Sequence, residues 1–135
     1  MSKQCLDAHQ MQHLQELGLE LKETMLYWVV YEAGHENNFV TTKENAMEVI
    51  DESCGMLPAY TLQDVLDALP KMIYPFPVHK IGFELWIGSG KIFYANMFNL
   101  EDVLKVRYDK ELIDAAYSLL CWCIENGYLD INKNE

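Results

Sequence analysis

Residues 109–127 carry the pattern that most limits how this chain can fold. Read as an α-helix, at about 100° per residue, the segment is apolar over more than half of its circumference. The apolar positions are Leu112, Ile113, Ala115, Ala116, Leu119, Leu120, Trp122, Cys123 and Ile124, and the polar strip is Asp114, Ser118, Cys121 and Glu125. A surface helix carries a narrower apolar stripe. We therefore predict a buried C-terminal helix that Asp109 caps and that Asn126-Gly127 ends in the left-handed conformation.

The length and composition of the chain predict a single globular domain over residues 1–135. Half of the residues are hydrophobic, so a chain of this size can bury a core without a disulfide or a metal. No apolar run reaches the ~18 residues that a membrane span needs, and the first residues lack the apolar segment of a signal peptide. We expect a cytoplasmic protein whose four cysteines are reduced thiols.

The net charge of −11 is unevenly distributed along the chain. Residues 1–69 contain twelve acidic and three basic side chains, whereas residues 70–135 contain nine acidic and seven basic ones. Arg107 is the single arginine. Because nucleic-acid sites depend on clustered Arg and Lys, we expect no direct binding to nucleic acid and no attraction to a membrane. The acidic half either keeps the protein soluble or faces a basic partner.

The first third of the chain has the pattern of a helix followed by a hairpin. Residues 7–17 fit a short amphipathic helix, with Gly18 as its stop. Residues 24–32 are typical of a strand with two apolar faces, which is either central in a covered sheet or placed against a partner. Residues 39–42 can return as the neighbouring strand.

The middle of the chain contains two capping patterns. The sequence from Thr41 to Glu44 matches a capping box and favours a helix, with a strand as the alternative over residues 44–53. Residues 53–58 are interpreted as a break. Residues 61–69 predict a clearer helix, because a start signal precedes apolar residues at helical spacing and a proline follows.

Residues 81–87 and 91–96 form the strongest hairpin pattern, joined by a three-residue turn, Gly88-Ser89-Gly90. This register pairs Phe83 with Ala95 and Leu85 with Phe93 on the face that meets the C-terminal helix, and Trp86 with Ile92 and Glu84 with Tyr94 on the other face. The connector at residues 74–77 should be extended, and Asn99 and Asp102 should start a short helical turn. We predict an α+β fold with one antiparallel sheet, built from two hairpins, packed against the long C-terminal helix and shorter helices.

Two groups of metal-ligating or reactive side chains have simpler structural explanations. Cys5, His9 and His13 repeat at i, i+4 and i+8, which on one helix would line up a zinc-like ligand set. A fourth ligand is missing, and two helical turns separate Cys5 from His13 by about 12 Å, so we expect no metal or cofactor. Cys121 and Cys123 point to nearly opposite sides of a helix, which favours Cys123 as a core residue and Cys121 as the more reactive thiol.

The chain has more aromatic residues than one helix-covered hairpin face needs. These residues are Tyr27, Trp28, Tyr31, Tyr60, Tyr74, Phe76, Trp86 and Tyr94. Trp and Tyr are favoured at protein interfaces because they combine a large apolar area with a polar group. The alternative is burial beneath a second layer of helices. The candidate interface residues are Trp28, Tyr31, Trp86 and Tyr94.

Three segments support a resemblance to known sequences, namely MQHLQELG at residues 11–18, LPAYTLQD at 57–64 and WCIENGY at 122–128. Together they resemble a group of small uncharacterised proteins from prophages and mobile elements of gut Bacteroides-type bacteria. The resemblance covers most of the chain, but its motifs are helix caps and core positions. It implies an accessory mobile-element protein and carries over no catalytic residue.

These patterns lead to three hypotheses for function. The aromatic surplus and the missing catalytic motifs favour a non-enzymatic module that binds a protein partner or a second copy. The acidic first half instead suits a DNA mimic that occupies a basic nucleic-acid-binding protein, if its carboxylates form a spaced array on one face. The residues of that array would be Glu32, Glu36, Glu44, Glu48, Asp51 and Glu52. A small enzyme with an acidic cleft is the third hypothesis and needs a pocket of converging polar groups.

Overall fold

The computed structural model describes residues 3–32, 34, 37–75 and 81–129, and these residues confirm the predicted α+β class. The helices are α1 (Ala8–Glu16), α2 (Lys43–Val49), α3 (Leu62–Ala68) and α4 (Leu112–Glu125). The strands are β1 (Leu26–Tyr31), β2 (Phe39–Thr42), β3 (Cys54–Pro58), β4 (Met72–Ile73), β5 (Phe83–Gly88), β6 (Lys91–Asn96) and β7 (Asn99–Tyr108). The second half of the predicted connector, residues 76–77, lies outside the described residues.

Within the described ranges, the strands form two antiparallel sheets, of order β2-β1-β3 and β4-β5-β6-β7. The prediction that both hairpins share one sheet is therefore wrong. The difference comes from β3, which the sequence pattern presents as a break because it contains Gly55 and Pro58. Pro58 is tolerated because it is the last residue of an edge strand. Leu57 pairs with Trp28, so β1 has a neighbour on each side and the first sheet is complete by itself.

The central strand β1 is covered on both faces, as its two apolar faces predict. Trp28 and Val30 pack against the main core. Tyr27 and Val29 face the other way and form a small second cluster with Ala46 of α2. The first sheet therefore lies between the main core and α2, and the covered-strand alternative is confirmed.

The starts of α2 and α3 follow the predicted capping patterns closely. Residues 43–49 are helical, but the Thr42 hydroxyl accepts from the Asn45 N–H at 3.3 Å, so the helix starts one residue later than a cap at Thr41 implies. In α3 the predicted capping box is complete. The Thr61 N–H donates to the Asp64 carboxylate at 2.9 Å, and the Asp64 N–H donates to the Thr61 hydroxyl at 3.3 Å.

The buried C-terminal helix predicted from the sequence is confirmed as α4. Its buried residues are Ile113, Ala115, Ala116, Leu119, Leu120, Cys121, Cys123 and Ile124. The helix ends as predicted at Gly127, whose φ is +77°, and the Tyr128 N–H donates to the Cys123 carbonyl at 2.9 Å. The start differs, because Asp109 accepts from the Glu111 N–H at 3.0 Å and caps the turn that precedes the helix.

The hairpin of β5 and β6 exists, but its predicted register is wrong by one residue. Leu85 pairs with Tyr94 and not with Phe93. The turn contains two residues, Ser89 and Gly90, instead of three, and Gly90 has a φ of +67°. Because side chains alternate between the faces of a sheet, this shift moves every side chain of β6 to the face opposite the predicted one.

The helical turn predicted from Asn99 and Asp102 is also wrong, because those residues belong to the ten-residue strand β7. β7 pairs antiparallel with β6, with irregular register near Ala95. The polar residues at the start of β7 have the same pattern as a helix N-cap. The irregular register interrupts the alternation of apolar and polar residues that identifies a strand. The later alternation of apolar Leu104 and Val106 with cations is the part of the sequence that indicates a strand.

Candidate interaction surface

The inner face of the second sheet, which faces α4, holds Tyr94. Ile92 and Tyr94 of β6 are both 0% exposed. The Tyr94 hydroxyl donates to the Pro70 carbonyl at 2.7 Å and lies 3.7 Å from the Cys123 sulfur. Burial raises the pKa of Tyr94 far above its ordinary value, so the side chain remains a neutral donor. Tyr94 therefore belongs to the core, whereas the predicted register put it on the outer face.

Two cations of β7 also point toward α4. The Arg107 Nε donates to the Ser118 hydroxyl at 2.8 Å. The Lys105 ammonium lies 5.8 Å from the centroid of the Trp122 ring, within the range of a cation–π contact. These contacts hold both charges on the α4 side of the sheet, so the opposite side is left mainly to apolar side chains.

The outer face of the second sheet is the side opposite α4, where Trp86, Phe93, Val106 and Tyr108 lie beside Glu84 and Ala95. Trp86 pairs with Phe93, and Phe93 pairs with Val106, so the three side chains are neighbours on adjacent strands. Tyr108 follows two residues after Val106 on the same face. Trp86 is 40% exposed and Tyr108 is 69% exposed. The Lys91 ammonium lies 5.2 Å from the Phe93 ring centroid and brings one positive charge to this face.

The turn between β6 and β7, together with the start of β7, carries a second exposed group, which we call the apolar tip: Met97, Phe98 and Leu100. Phe98 is 85% exposed, Leu100 is 50% exposed and Met97 is 43% exposed. The Phe98 N–H donates to the Asn96 side chain at 2.9 Å, which holds the turn in shape. The sequence patterns above do not predict this tip. Its signal was an apolar pair between two turn-forming asparagines, Asn96 and Asn99.

The other two aromatic candidates lie in the first sheet. The Trp28 indole donates to the Leu6 carbonyl at 2.9 Å, and its ring packs against the main core. Tyr31 packs against the small cluster on the α2 side of β1. The four candidates are thus not brought together, because Trp86 is on the outer face, Tyr94 is in the core, and both Trp28 and Tyr31 are half-buried elsewhere.

The cysteines of the described residues are free and buried. Cys5 precedes α1, so it does not share one helix with His9 and His13. In the described ranges, no group of three or more His, Cys, Asp or Glu side chains is arranged to hold a metal. Burial raises the pKa of Cys121, and that of Cys123 to about 11. Cys121 is 8% exposed and Cys123 is 0% exposed, so both thiols are buried, and the higher reactivity of Cys121 stays a prediction.

The carboxylates of the predicted acidic array surround α2. The exposed members are Glu32, Glu44, Glu48, Asp51 and Glu52. The Asp51 carboxylate accepts from the backbone and the hydroxyl of Ser53, both at 2.7 Å, and these hydrogen bonds lower its pKa. Glu36 lies outside the described residues. These five carboxylates thus lie just after β1, in α2 and in the turn that leads into β3.

Comparison with protein-family models, curated proteins and solved structures finds no match for this chain. Among the helices in the described ranges, none combines the length and the apolar character needed to cross a bilayer. In the same residues, every buried side-chain nitrogen or oxygen has a hydrogen-bond partner. The outer face and the apolar tip are exposed apolar surfaces of the second sheet.

Proposed function

We propose that this chain is a non-enzymatic protein-interaction module that binds a partner protein, or a second copy of itself, through the outer face. The observation that carries the proposal is Trp86, which is 40% exposed beside the ring of Phe93 on the side of the sheet opposite α4. Tryptophan is among the residues that contribute most to binding at protein interfaces.

The apolar side chains of the outer face adjoin one another, and this arrangement supports a binding function more strongly than single exposed residues would. Isolated exposed apolar side chains are normal on soluble proteins, but adjoining ones on one surface are typical of a binding site. The register makes Trp86, Phe93 and Val106 neighbours on three strands. Because a sheet holds these side chains in place before binding, association costs little conformational entropy.

The proposal is tested by pull-down from the native host and by size exclusion with light scattering, using Trp86→Ser. We expect the wild type to form a complex or a dimer, and Trp86→Ser to weaken it by roughly 30-fold or more. The matched control is Met25→Ser, because Met25 is also apolar and is 82% exposed outside the second sheet. A strict monomer that captures no partner contradicts the proposal, as does a complex that Trp86→Ser leaves intact.

A second candidate function, a DNA mimic that occupies a basic nucleic-acid-binding protein, has support from the exposed carboxylates around α2. Glu44 and Glu48 are one helical turn apart and share a side of that helix. For a mimic, double-stranded DNA should displace the captured partner, and Glu44→Gln with Glu48→Gln should weaken binding more than Trp86→Ser. A partner that DNA does not displace rules out the mimic.

We also propose a mobile-element origin and a cytoplasmic location. The origin is supported by the sequence resemblance alone, and the genes that flank the coding sequence test it. The free, buried thiols favour a reducing compartment. The acidic-cleft enzyme has no specific observation in its favour among the described residues.

A further inference from the structure

We infer that the apolar tip inserts into an apolar cleft of a partner protein whose rim carries Lys or Arg side chains. This inference rests on the proposed function, because the tip and the outer face belong to the same sheet. It adds the chemistry of the partner and names Phe98 as the anchoring side chain.

The shape of the tip is set before any partner binds. The Phe98 N–H donates to the side-chain amide oxygen of Asn96 at 2.9 Å, and the Glu101 N–H donates to the side-chain amide oxygen of Asn99 at 3.1 Å. The Phe98 side chain is nevertheless 85% exposed, so the fold gains almost nothing from burying it. A rigid turn that presents a free aromatic ring can bind with a small entropic cost.

The charges beside the tip indicate the partner. Glu101 and Asp102 are exposed next to it, and the Asn96 amide donates to the Asp102 carboxylate at 3.1 Å. The nearest cations along β7, Lys105 and Arg107, are held on the α4 side by their contacts. The tip is therefore an apolar centre with an anionic border, and its complement is an apolar cleft with a cationic rim.

The same charges disfavour the other occupants of an exposed apolar turn. An anionic lipid surface or a nucleic acid at the tip would lie beside the exposed carboxylates of Glu101 and Asp102, and like charges repel. A second copy of the chain carries its own net charge of −11, which opposes self-association at this border. The apolar centre and the anionic border of the tip together favour a partner protein whose apolar cleft has Lys or Arg side chains at its rim.

The test is photo-cross-linking in the native host with the full chain carrying p-benzoylphenylalanine at position 98. We expect an adduct with a host protein whose cross-linked peptide combines Lys or Arg with apolar residues. The yield should fall as ionic strength rises from about 0.15 M to about 1 M, and Glu101→Lys should lower it by roughly tenfold. The control places the same photoreactive side chain at position 25, where it should not label that peptide.

A companion measurement keeps this test separate from that of the proposed function. Phe98→Ser should fold normally and weaken the complex by roughly 30-fold. If Trp86→Ser abolishes the complex while Phe98→Ser binds within about twofold of the wild type, the inference fails and the proposed function stands. The absence of an adduct at position 98, or an adduct with a second copy, a lipid or an acidic peptide, also overturns the inference. If neither variant weakens the complex, both proposals fail.

Discussion

Replacing Tyr94 with phenylalanine tests whether β6 faces α4 as the observed register requires. Tyr94 is 0% exposed, and its hydroxyl donates to the Pro70 carbonyl at 2.7 Å. Tyr94→Phe removes the hydroxyl and keeps the ring, so the apolar packing is retained and the loss is confined to hydrogen bonding. Because Pro70 is half-buried and its carbonyl can regain part of its hydration, we expect the free energy of unfolding to fall by about 0.5–1.5 kcal/mol, the net value of a typical hydrogen bond.

Urea unfolding measures this loss, which should appear as a lower midpoint with an unchanged m-value. The matched control is Tyr108→Phe, because Tyr108 lies on the outer face and is 69% exposed. That variant should change the free energy of unfolding by less than about 0.5 kcal/mol. If Tyr94→Phe were as neutral as the control, Tyr94 would not be a core donor and the observed register would be refuted.

Three further predictions concern α4 and its end. Leu119→Ala leaves a cavity at a fully buried position and should lower the free energy of unfolding by about 2–5 kcal/mol. The control is Leu100→Ala, at a half-exposed position, which should lower it by less than about 0.5 kcal/mol. Equal losses for the two variants in urea unfolding would contradict the buried helix. Gly127→Ala should cost about 1–2 kcal/mol by conformational strain alone, since φ is +77° and no atom lies within 4 Å of the added Cβ. Burial raises the pKa of Cys123 from 9.0 to about 11, so between these pH values the thiol ionises in the unfolded chain before it does in the folded protein. The free energy of unfolding should therefore fall as pH rises through this range, by about 1.4 kcal/mol per pH unit. In Cys123→Ala the dependence of the free energy of unfolding on pH should be weaker.

The features that the sequence predicted well are those encoded within a few neighbouring residues. The cap formed by Thr61 and Asp64 needs only a fixed spacing, and the stop at Gly127 needs only a residue that adopts positive φ. The burial of α4 follows from apolar residues around most of its circumference. Such signals do not depend on which other element lies opposite.

The features that were missed depend on contacts between distant residues. Nothing local identifies residues 54–58 as a strand, because their Gly and Pro are tolerated only once β1 supplies a partner along one edge. The register of β5 and β6 depends on whether the turn has two or three residues, and Ser89-Gly90 suits either length in a glycine-rich turn.

On the candidate surface too, the features set by local sequence were predicted and those set by distant contacts were not. Both the predicted and the observed registers put Trp86 on the face away from α4, because the alternation along β5 does not depend on the turn. Tyr94 changes face with the one-residue shift of β6, and so it moves from the candidate surface into the core. Phe98 was missed because its exposure depends on how β7 returns beside β6.

Radical footprinting of the full chain, alone and in complex with its captured partner, shows whether the outer face is the binding surface. The account predicts that Trp86 and Tyr108 are labelled in the free protein and protected in the complex, while Tyr94, at 0% exposure, is not labelled in either. Labelling of Tyr94 to the same extent as Tyr108, or no protection of Trp86 on binding, would contradict an apolar outer face that serves as the binding surface.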